Sequence, residues 1–149
     1  LFLHNDLASG RYPVGDKPVV LTDIACPVFC VSTLRDHVAP WRSVHKLHLF
    51  ADVAITFLLS SGGHNVGIVN PPGVPGRSYQ VLTRARDGRY LDPDAWLEAA
   101  ATHEGSWWPE WNAWLGARSG KPVAPPSMGA TGGSLKPLCA APGTYVLQK

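Results

Sequence analysis

Two short runs of apolar residues are the clearest pattern in the chain, and a polar segment follows each of them. The first covers residues 25–34 and is rich in Val and Phe, and the second covers residues 54–61. Continuous apolar runs of this length are typical of strands that are buried on both faces of a parallel sheet. The pattern therefore predicts two buried strands.

The segment between the two runs predicts a helix that returns across the sheet. Pro40 is suited to the first turn of a helix. Apolar positions then recur on one side at helical spacing, namely Trp41, Val44 and Leu47 or His48. A strand, a helix and a second strand form a βαβ unit, which has a right-handed crossover and parallel strands. We therefore expect an α/β fold built on a parallel sheet.

The remaining pattern predicts one more strand, two helices and an irregular tail. Residues 77–85 have the composition of a strand, and Asp92 is suited to cap a helix over residues 92–101. A second helix, begun by Pro109, covers residues 107–120 and ends near a glycine. Pro and Gly are frequent in residues 120–149, so we expect an extended tail there after a domain formed by residues 1–119.

The composition is that of a globular protein with a single core. The chain has 149 residues, of which 45% are hydrophobic and 16% charged, and its net charge of +2 comes from scattered basic residues. This distribution lacks the basic patch of nucleic-acid-binding proteins, and no apolar run approaches the roughly 18 residues that cross a bilayer. We expect a cytoplasmic protein without a transmembrane segment. Because the chain starts at Leu1 and reads like the middle of a longer sequence, we also expect a fragment.

Two cysteines lie in or near the first apolar run. If Cys26 and Cys30 belonged to one strand, they would be separated by about 13 Å at ~3.3 Å per residue, too far for a disulfide. We therefore expect two buried thiols in a reducing compartment.

A candidate catalytic pair follows the two predicted strands. Asp36 comes just after the first strand, and His64 follows the second after the turn-forming Gly62 and Gly63. In open α/β sheets, ligands bind at the carboxyl ends of the strands, where both residues are expected. An acid and a histidine in this order match the last two members of a nucleophile, acid and histidine triad. The alternative is that both are ordinary turn residues.

The nucleophile of such a triad is absent from the sequence. A nucleophile elbow needs glycine two residues before and after the Ser or Cys, and no Ser or Cys of the chain meets this rule. A catalytic pair without its nucleophile indicates that the chain is part of a larger protein. His37, next to the acid, is either a pocket residue or a loop residue, and we favour the loop.

Other aromatic and imidazole groups have simpler interpretations. His45 and His48 are spaced to share a metal ion, but no third ligand is evident, so we expect ordinary helix histidines, no metal site and no cofactor. Trp107, Trp111 and Trp114 recur at helical spacing, which is more typical of packing than of a ligand surface.

Five segments together resemble the C-terminal third of class I poly(3-hydroxyalkanoate) synthases. They are "RDHVAPWRSVHKLHL", "SGGHNVGIVNPPG", "LDPDAW", "EGSWWPEWNAWL" and "APGTYVLQK", and they span essentially the whole chain. The resemblance implies the C-terminal part of an α/β-hydrolase catalytic domain, whose nucleophile-bearing half is missing. It further implies an acyltransferase that polymerises (R)-3-hydroxyacyl-CoA into polyester and releases CoA.

The resemblance also implies residue roles and partners. Asp36 takes the position of the family's catalytic aspartate and His64 that of its catalytic histidine, while the nucleophilic cysteine lies upstream. Asp36 either orients His64 or helps to deprotonate the 3-hydroxyl group of the incoming unit. The implied partners are the growing polyester, the N-terminal remainder of the synthase and a second copy, at the surface of polyester granules. The tryptophan stripe is a candidate contact for that polyester or for the hydrophobic granule surface.

Two other functions remain open at this stage. The chain is either a fragment of a different α/β hydrolase, such as an esterase or polyester depolymerase, or a truncated homologue without catalytic activity. We expect the isolated chain to be inactive in every case, because it has no nucleophile elbow.

Overall fold

A computed structural model describes residues 3–126 and 137–149 of the chain. The chain forms two compact units, Leu1–Arg118 and Ser119–Lys149. The described part of the second unit has one short 3-10 turn, Tyr145–Leu147, and is otherwise irregular. Residues 127–136 of the predicted tail lie outside the described residues.

The first unit contains a small hairpin and a four-stranded sheet. Strands β1 (Tyr12–Val14) and β2 (Lys17–Val19) pair antiparallel in the hairpin. The larger sheet has the order β3-β4-β5-β6, with the bounds β3 Val28–Thr33, β4 Ile55–Ser60, β5 Ser78–Arg84 and β6 Ala101–Glu104.

Strand directions in the larger sheet correct one expectation. β3 and β4 are parallel, as the βαβ pattern predicts, but β5 runs antiparallel to β4, and β6 antiparallel to β5. The sheet is therefore mixed rather than parallel. The physical reason is the link between β4 and β5, residues 61–77, which contains no helix that could carry the chain back across the sheet.

Three helices cover the sheet. Helix α1 (Trp41–Val44) continues as a 3-10 turn over His45–Leu49, α2 is Pro93–Ala99, and α3 is Trp108–Gly116. Asp92 caps α2 as predicted, since its carboxylate accepts hydrogen bonds from the backbone N–H groups of Asp94 and Ala95 at 3.0 and 3.1 Å.

The two faces of β4 pack into separate cores. Ile55 and Phe57 lie on one face, in a cluster that includes Trp41 and Trp96 from α1 and α2. Leu58 lies on the other face, with partners Tyr79 from β5 and Trp107, the residue that precedes α3. All six residues of β4 are buried, so the loop that follows this strand starts from a rigid base.

The expectation of two buried thiols is wrong for Cys26. The strand begins at Val28, later than predicted, so Cys26 precedes the sheet and is exposed. Cys30 lies inside β3, where burial raises the pKa of its thiol to about 11. No cysteine in the described part of the chain forms a disulfide.

This difference predicts selective alkylation of the native chain. Iodoacetamide at pH 8 should modify Cys26 and the exposed Cys139 quickly and Cys30 slowly, because the thiolate is the reactive form. Mass spectrometry of timed samples measures the three rates, and the same reaction in denaturing urea is the control in which Cys30 should react as fast as the others. Equal rates in the native chain would contradict the placement of Cys30.

Candidate active site

The ends of the two parallel strands place the candidate residues at one edge of the sheet. Pairing between the strands continues beyond their last residues: the backbone N–H of Leu34 donates to the carbonyl of Ser60 at 2.9 Å, and that of Arg35 donates to Gly62 at 2.8 Å. The two chain segments therefore leave the sheet next to each other, and Asp36 and His64 follow at the same edge.

The side chains of Asp36 and His64 are in direct contact. Nδ1 of His64 lies 2.9 Å from Oδ2 of Asp36. The second carboxylate oxygen, Oδ1, accepts hydrogen bonds from the backbone N–H groups of Val38 and Ala39 at 2.8 and 2.9 Å. The Asp36 side chain is 8% exposed and the His64 side chain 47% exposed. The acid is thus held from several sides, while the imidazole reaches the surface.

The same hydrogen bonds fix the charge of the acid. The N–H of Ala39 and the side chain of His64 are the largest causes that lower the pKa of Asp36 to about 2, so the carboxylate is ionised at neutral pH. Because an ionised carboxylate only accepts hydrogen bonds, Nδ1 of His64 must carry the shared proton. Nε2 of the neutral imidazole is then the nitrogen that can accept a proton from another group.

Two glycines shape the loop that carries His64, residues 61–70, which we call the histidine loop. Gly62 has a φ of +110°, a conformation that favours glycine, so the predicted sharp turn is confirmed. Gly67 lies against the end of β3, where an added Cβ would be only 2.4 Å from Cγ2 of Thr33. The histidine loop therefore needs a residue without a side chain at position 67.

Two indole groups tie the histidine loop to α3. Nε1 of Trp107 donates to the carbonyl of Gly67 at 2.9 Å, and Nε1 of Trp108 donates to that of Ile68 at 3.0 Å. Ser60, at the end of β4, also donates from Oγ to Gly67 at 2.8 Å. Sequence reasoning missed this role, although adjacent tryptophans at a helix start signal two N–H groups that need acceptors.

Loss of the hydrogen bond from the Trp107 indole should lower the stability of the chain. We expect Trp107→Phe to lower the free energy of unfolding by ~1 kcal/mol beyond the cost of the smaller ring, because the buried N–H donor to Gly67 is lost. Urea unfolding of the chain measures the change. Trp111→Phe is the matched control, since the Trp111 ring is 44% exposed and its indole donates no hydrogen bond among the described residues. Equal losses of unfolding free energy for both variants would argue against a stabilising hydrogen bond between Trp107 and the histidine loop.

Sequence comparison adds relatives that cover almost the whole chain. A poly(3-hydroxyalkanoate) polymerase subunit from Rhizobium etli is 35% identical over 99% of the chain, and a poly(3-hydroxyalkanoate) polymerase from Methylorubrum extorquens is 37% identical over the same share. Poly(3-hydroxyalkanoate) polymerase 2 from Ectopseudomonas oleovorans is 38% identical over 89% of the chain. The chain is a homologue of the poly(3-hydroxyalkanoate) polymerases. The family resemblance inferred from the sequence is thereby confirmed.

The match covers only part of each polymerase. The chain spans 22% of the length of the Rhizobium etli relative, 24% of the Methylorubrum extorquens relative and 23% of the Ectopseudomonas oleovorans relative. None of the protein-family profiles compared with the chain matches it.

The other candidate residues lie in different surroundings. His37 is exposed in the turn that follows Asp36, and its two interpretations, as a loop residue or as a pocket residue, stay predictions. Trp107 is buried, and Trp114 packs edge-on against Phe29 with ring centroids 5.5 Å apart. Trp111 is largely exposed, so a contact between this part of the stripe and polyester also stays a prediction.

His45 and His48 are more deeply placed than ordinary helix histidines. They lie in the 3-10 turn after α1 and are 1% and 7% exposed, with ring centroids 4.5 Å apart. Among the described residues, no group of three or more His, Cys, Asp or Glu side chains could hold a metal ion. Burial lowers the pKa of both imidazoles, that of His48 to about 4. Both rings are therefore neutral at physiological pH.

Proposed function

We propose that the chain is the C-terminal portion of a polyhydroxyalkanoate synthase and supplies the histidine and aspartate of a Cys-His-Asp triad. The supporting observation is the 2.9 Å contact between His64 and Asp36 at the adjoining ends of two parallel strands. The substrate is an (R)-3-hydroxyacyl-CoA, and the products are polyester and free CoA. The nucleophilic cysteine belongs to the rest of the synthase.

The proposed reaction uses His64 first as a base and then as an acid. Nε2 takes the proton of the cysteine thiol, and the thiolate attacks the thioester carbonyl. The bond between the carbonyl carbon and the CoA sulfur breaks, and CoA leaves with the proton from His64. The acyl group stays on the cysteine until a 3-hydroxyl group attacks its carbonyl carbon, with His64 taking the hydroxyl proton. The new ester bond forms as the bond between the carbonyl carbon and the cysteine sulfur breaks, and His64 returns the proton to the leaving thiolate.

Asp36 is better suited to orient His64 than to act on the substrate hydroxyl group. Both of its oxygens already accept hydrogen bonds, Oδ1 from the turn and Oδ2 from His64, and the side chain is almost fully buried. A carboxylate with a pKa of about 2 is also a weak base. We therefore assign Asp36 to hold the imidazole and to stabilise its protonated form.

The open edge of the sheet is compatible with an α/β-hydrolase domain that continues outside this chain. In the described part of the chain, β3 pairs with β4 on one side and with no strand on the other. A further strand can add there by backbone hydrogen bonds. Residues 1–119 would then complete a larger catalytic domain, with residues 120–149 as its tail.

A thioester assay separates this proposal from its alternatives. The complete protein, supplied with (R)-3-hydroxybutyryl-CoA, should release CoA and form insoluble polyester, whereas the 149-residue chain alone should release none. An esterase or depolymerase would instead yield free hydroxy acid, and a non-catalytic homologue would leave the thioester intact. Either of those results from the complete protein would overturn the proposal.

We further propose that the synthase works at the surface of polyester granules in the cytoplasm. In the part of the chain that the structure describes, no helix has the length and apolar character needed to cross a membrane. The exposed Val66, Val69 and Trp111 give this unit apolar groups that suit contact with a polyester.

A further inference from the structure

A cavity of about 290 Å³ lies at the opposite end of the sheet from the Asp36–His64 pair. Arg84, in its wall, pairs with Ile55 at the start of β4, whereas His64 follows the end of that strand. The cavity is therefore separate from the candidate active site. Its principal lining residues come from the 3-10 turn, β5, the following loop and α2, namely His45, His48, Leu82, Arg84, Arg89 and Trp96.

One wall of the cavity holds hydrogen-bond donors that have no acceptor. Nε of Arg84 donates to Nδ1 of His48 at 3.3 Å, so the neutral His48 ring carries its proton on Nε2. Nε2 of His48, Nε1 of Trp96 and both nitrogens of His45 are buried without a hydrogen-bond partner among the described residues. Since each neutral ring has one N–H group, three N–H donors on this wall are unpaired. These donors and the one unpaired acceptor nitrogen of His45 make this wall polar, although the atoms themselves have almost no accessible surface.

An unpaired cation in the lining of the cavity favours an anionic ligand. Residues 84–89 contain three arginines and one acid, Asp87, and Arg89 is exposed where it lines the cavity. Two further acids lie nearby, namely Asp92, whose carboxylate already accepts two backbone hydrogen bonds as the cap of α2, and the exposed Asp52. Arg89 makes no ion pair or side-chain hydrogen bond with another described residue. Its guanidinium is thus available to a carboxylate.

We propose that this cavity binds a small amphipathic carboxylate, such as a short-chain acyl or hydroxyacyl acid. The apolar tail lies against Leu82, Leu91 and Trp96, and the carboxylate meets the exposed guanidinium of Arg89. The volume is near the lower end of the range for ligand pockets, roughly 300–1,000 Å³, and is too small for a whole acyl-CoA. A thioester also lacks the carboxylate that pairs with Arg89, so the site favours a free acid over its CoA thioester.

Titration of the 149-residue chain with hexanoate tests the site directly. We expect saturable shifts of the ring resonances of His45 and His48 and of the Trp96 indole N–H, followed by NMR. Hexan-1-ol, which has the same tail without the charge, should bind about tenfold more weakly, because it lacks the pairing with the guanidinium. Absence of saturable shifts, or equal affinity for hexan-1-ol, would overturn the proposal.

Two arginine variants of equal charge separate specific binding from general attraction. Arg89→Gln should weaken hexanoate binding about fivefold or more, since it removes a cation that lines the cavity. Arg86→Gln removes the same charge three residues away, at a position that does not line the cavity, and should leave the affinity unchanged. Equal weakening by both variants would indicate only diffuse attraction and would reject the site.

Discussion

Replacement of His64 by alanine in the complete protein that we propose to be a synthase should reduce kcat/KM for CoA release about a thousandfold, the scale of a lost general base. The reason is that Nε2 of His64 is the proposed proton acceptor for the cysteine thiol, with Nδ1 held by Asp36 at 2.9 Å. A thiol-reactive dye that detects free CoA measures the rate. His4→Ala is the control, because His4 is an exposed histidine outside the site and its loss should leave the rate unchanged.

In the same assay, Asp36→Asn tests whether Asp36 holds His64 in the tautomer that can accept a proton. Asparagine keeps an oxygen for the N–H groups of Val38 and Ala39 but presents an amide N–H₂ group to Nδ1 of His64. The imidazole proton then moves to Nε2, which can no longer accept a proton, so we expect a loss comparable to that of His64→Ala with an unchanged fold. Near-normal turnover by either variant would remove the catalytic assignment.

The second large effect is expected at Gly67. Its replacement by alanine should lower the free energy of unfolding by about 1–3 kcal/mol, the usual cost of overpacking. The added Cβ would lie 2.4 Å from Cγ2 of Thr33 and 3.0 Å from the carbonyl oxygen of Gly63, so the histidine loop or the end of β3 must move. Urea unfolding of the chain measures the stability, and CoA release by the complete synthase measures the displacement of His64.

Gly63 provides a matched control within the same loop. A Cβ at position 63 would meet only the carbonyl oxygen of Arg35, at an ordinary distance of 3.6 Å. Gly63→Ala should therefore change stability and turnover far less than Gly67→Ala, although both variants add one methyl group to the histidine loop. Similar effects of the two changes would show that close packing against Thr33 is not what position 67 requires.

Local patterns predicted the strands of the βαβ unit well and the rest of the sheet less well. Continuous apolar runs located β3 and β4 because both strands are covered on two faces. β6 was missed because Ala101 continues an alanine-rich helical pattern and the strand has only four residues. The direction of β5 was readable in principle: a link as rich in Pro and Gly as residues 70–76 does not form the helix that a parallel crossover needs.

The pairing of Asp36 with His64 was predictable because each follows the carboxyl end of one of two parallel strands, and these ends lie at the same edge of the sheet. The indole bonds from Trp107 and Trp108 were not, because they join α3 to residues 40 positions earlier in the chain. The cavity lined by His45 and His48 could not be predicted from the sequence either. It depends on how the 3-10 turn packs against β5 and α2, and no spacing along the chain encodes that packing.

One side of β3 pairs with no strand of the described residues, and this has a practical consequence for work with the chain by itself. Val28–Thr33 contains no charged residue and no proline, the features by which exposed strands usually avoid one another. Two copies can therefore join through these strands, and self-association should rise with concentration. Dilute solutions, or a lysine introduced on this strand, should keep the chain monomeric.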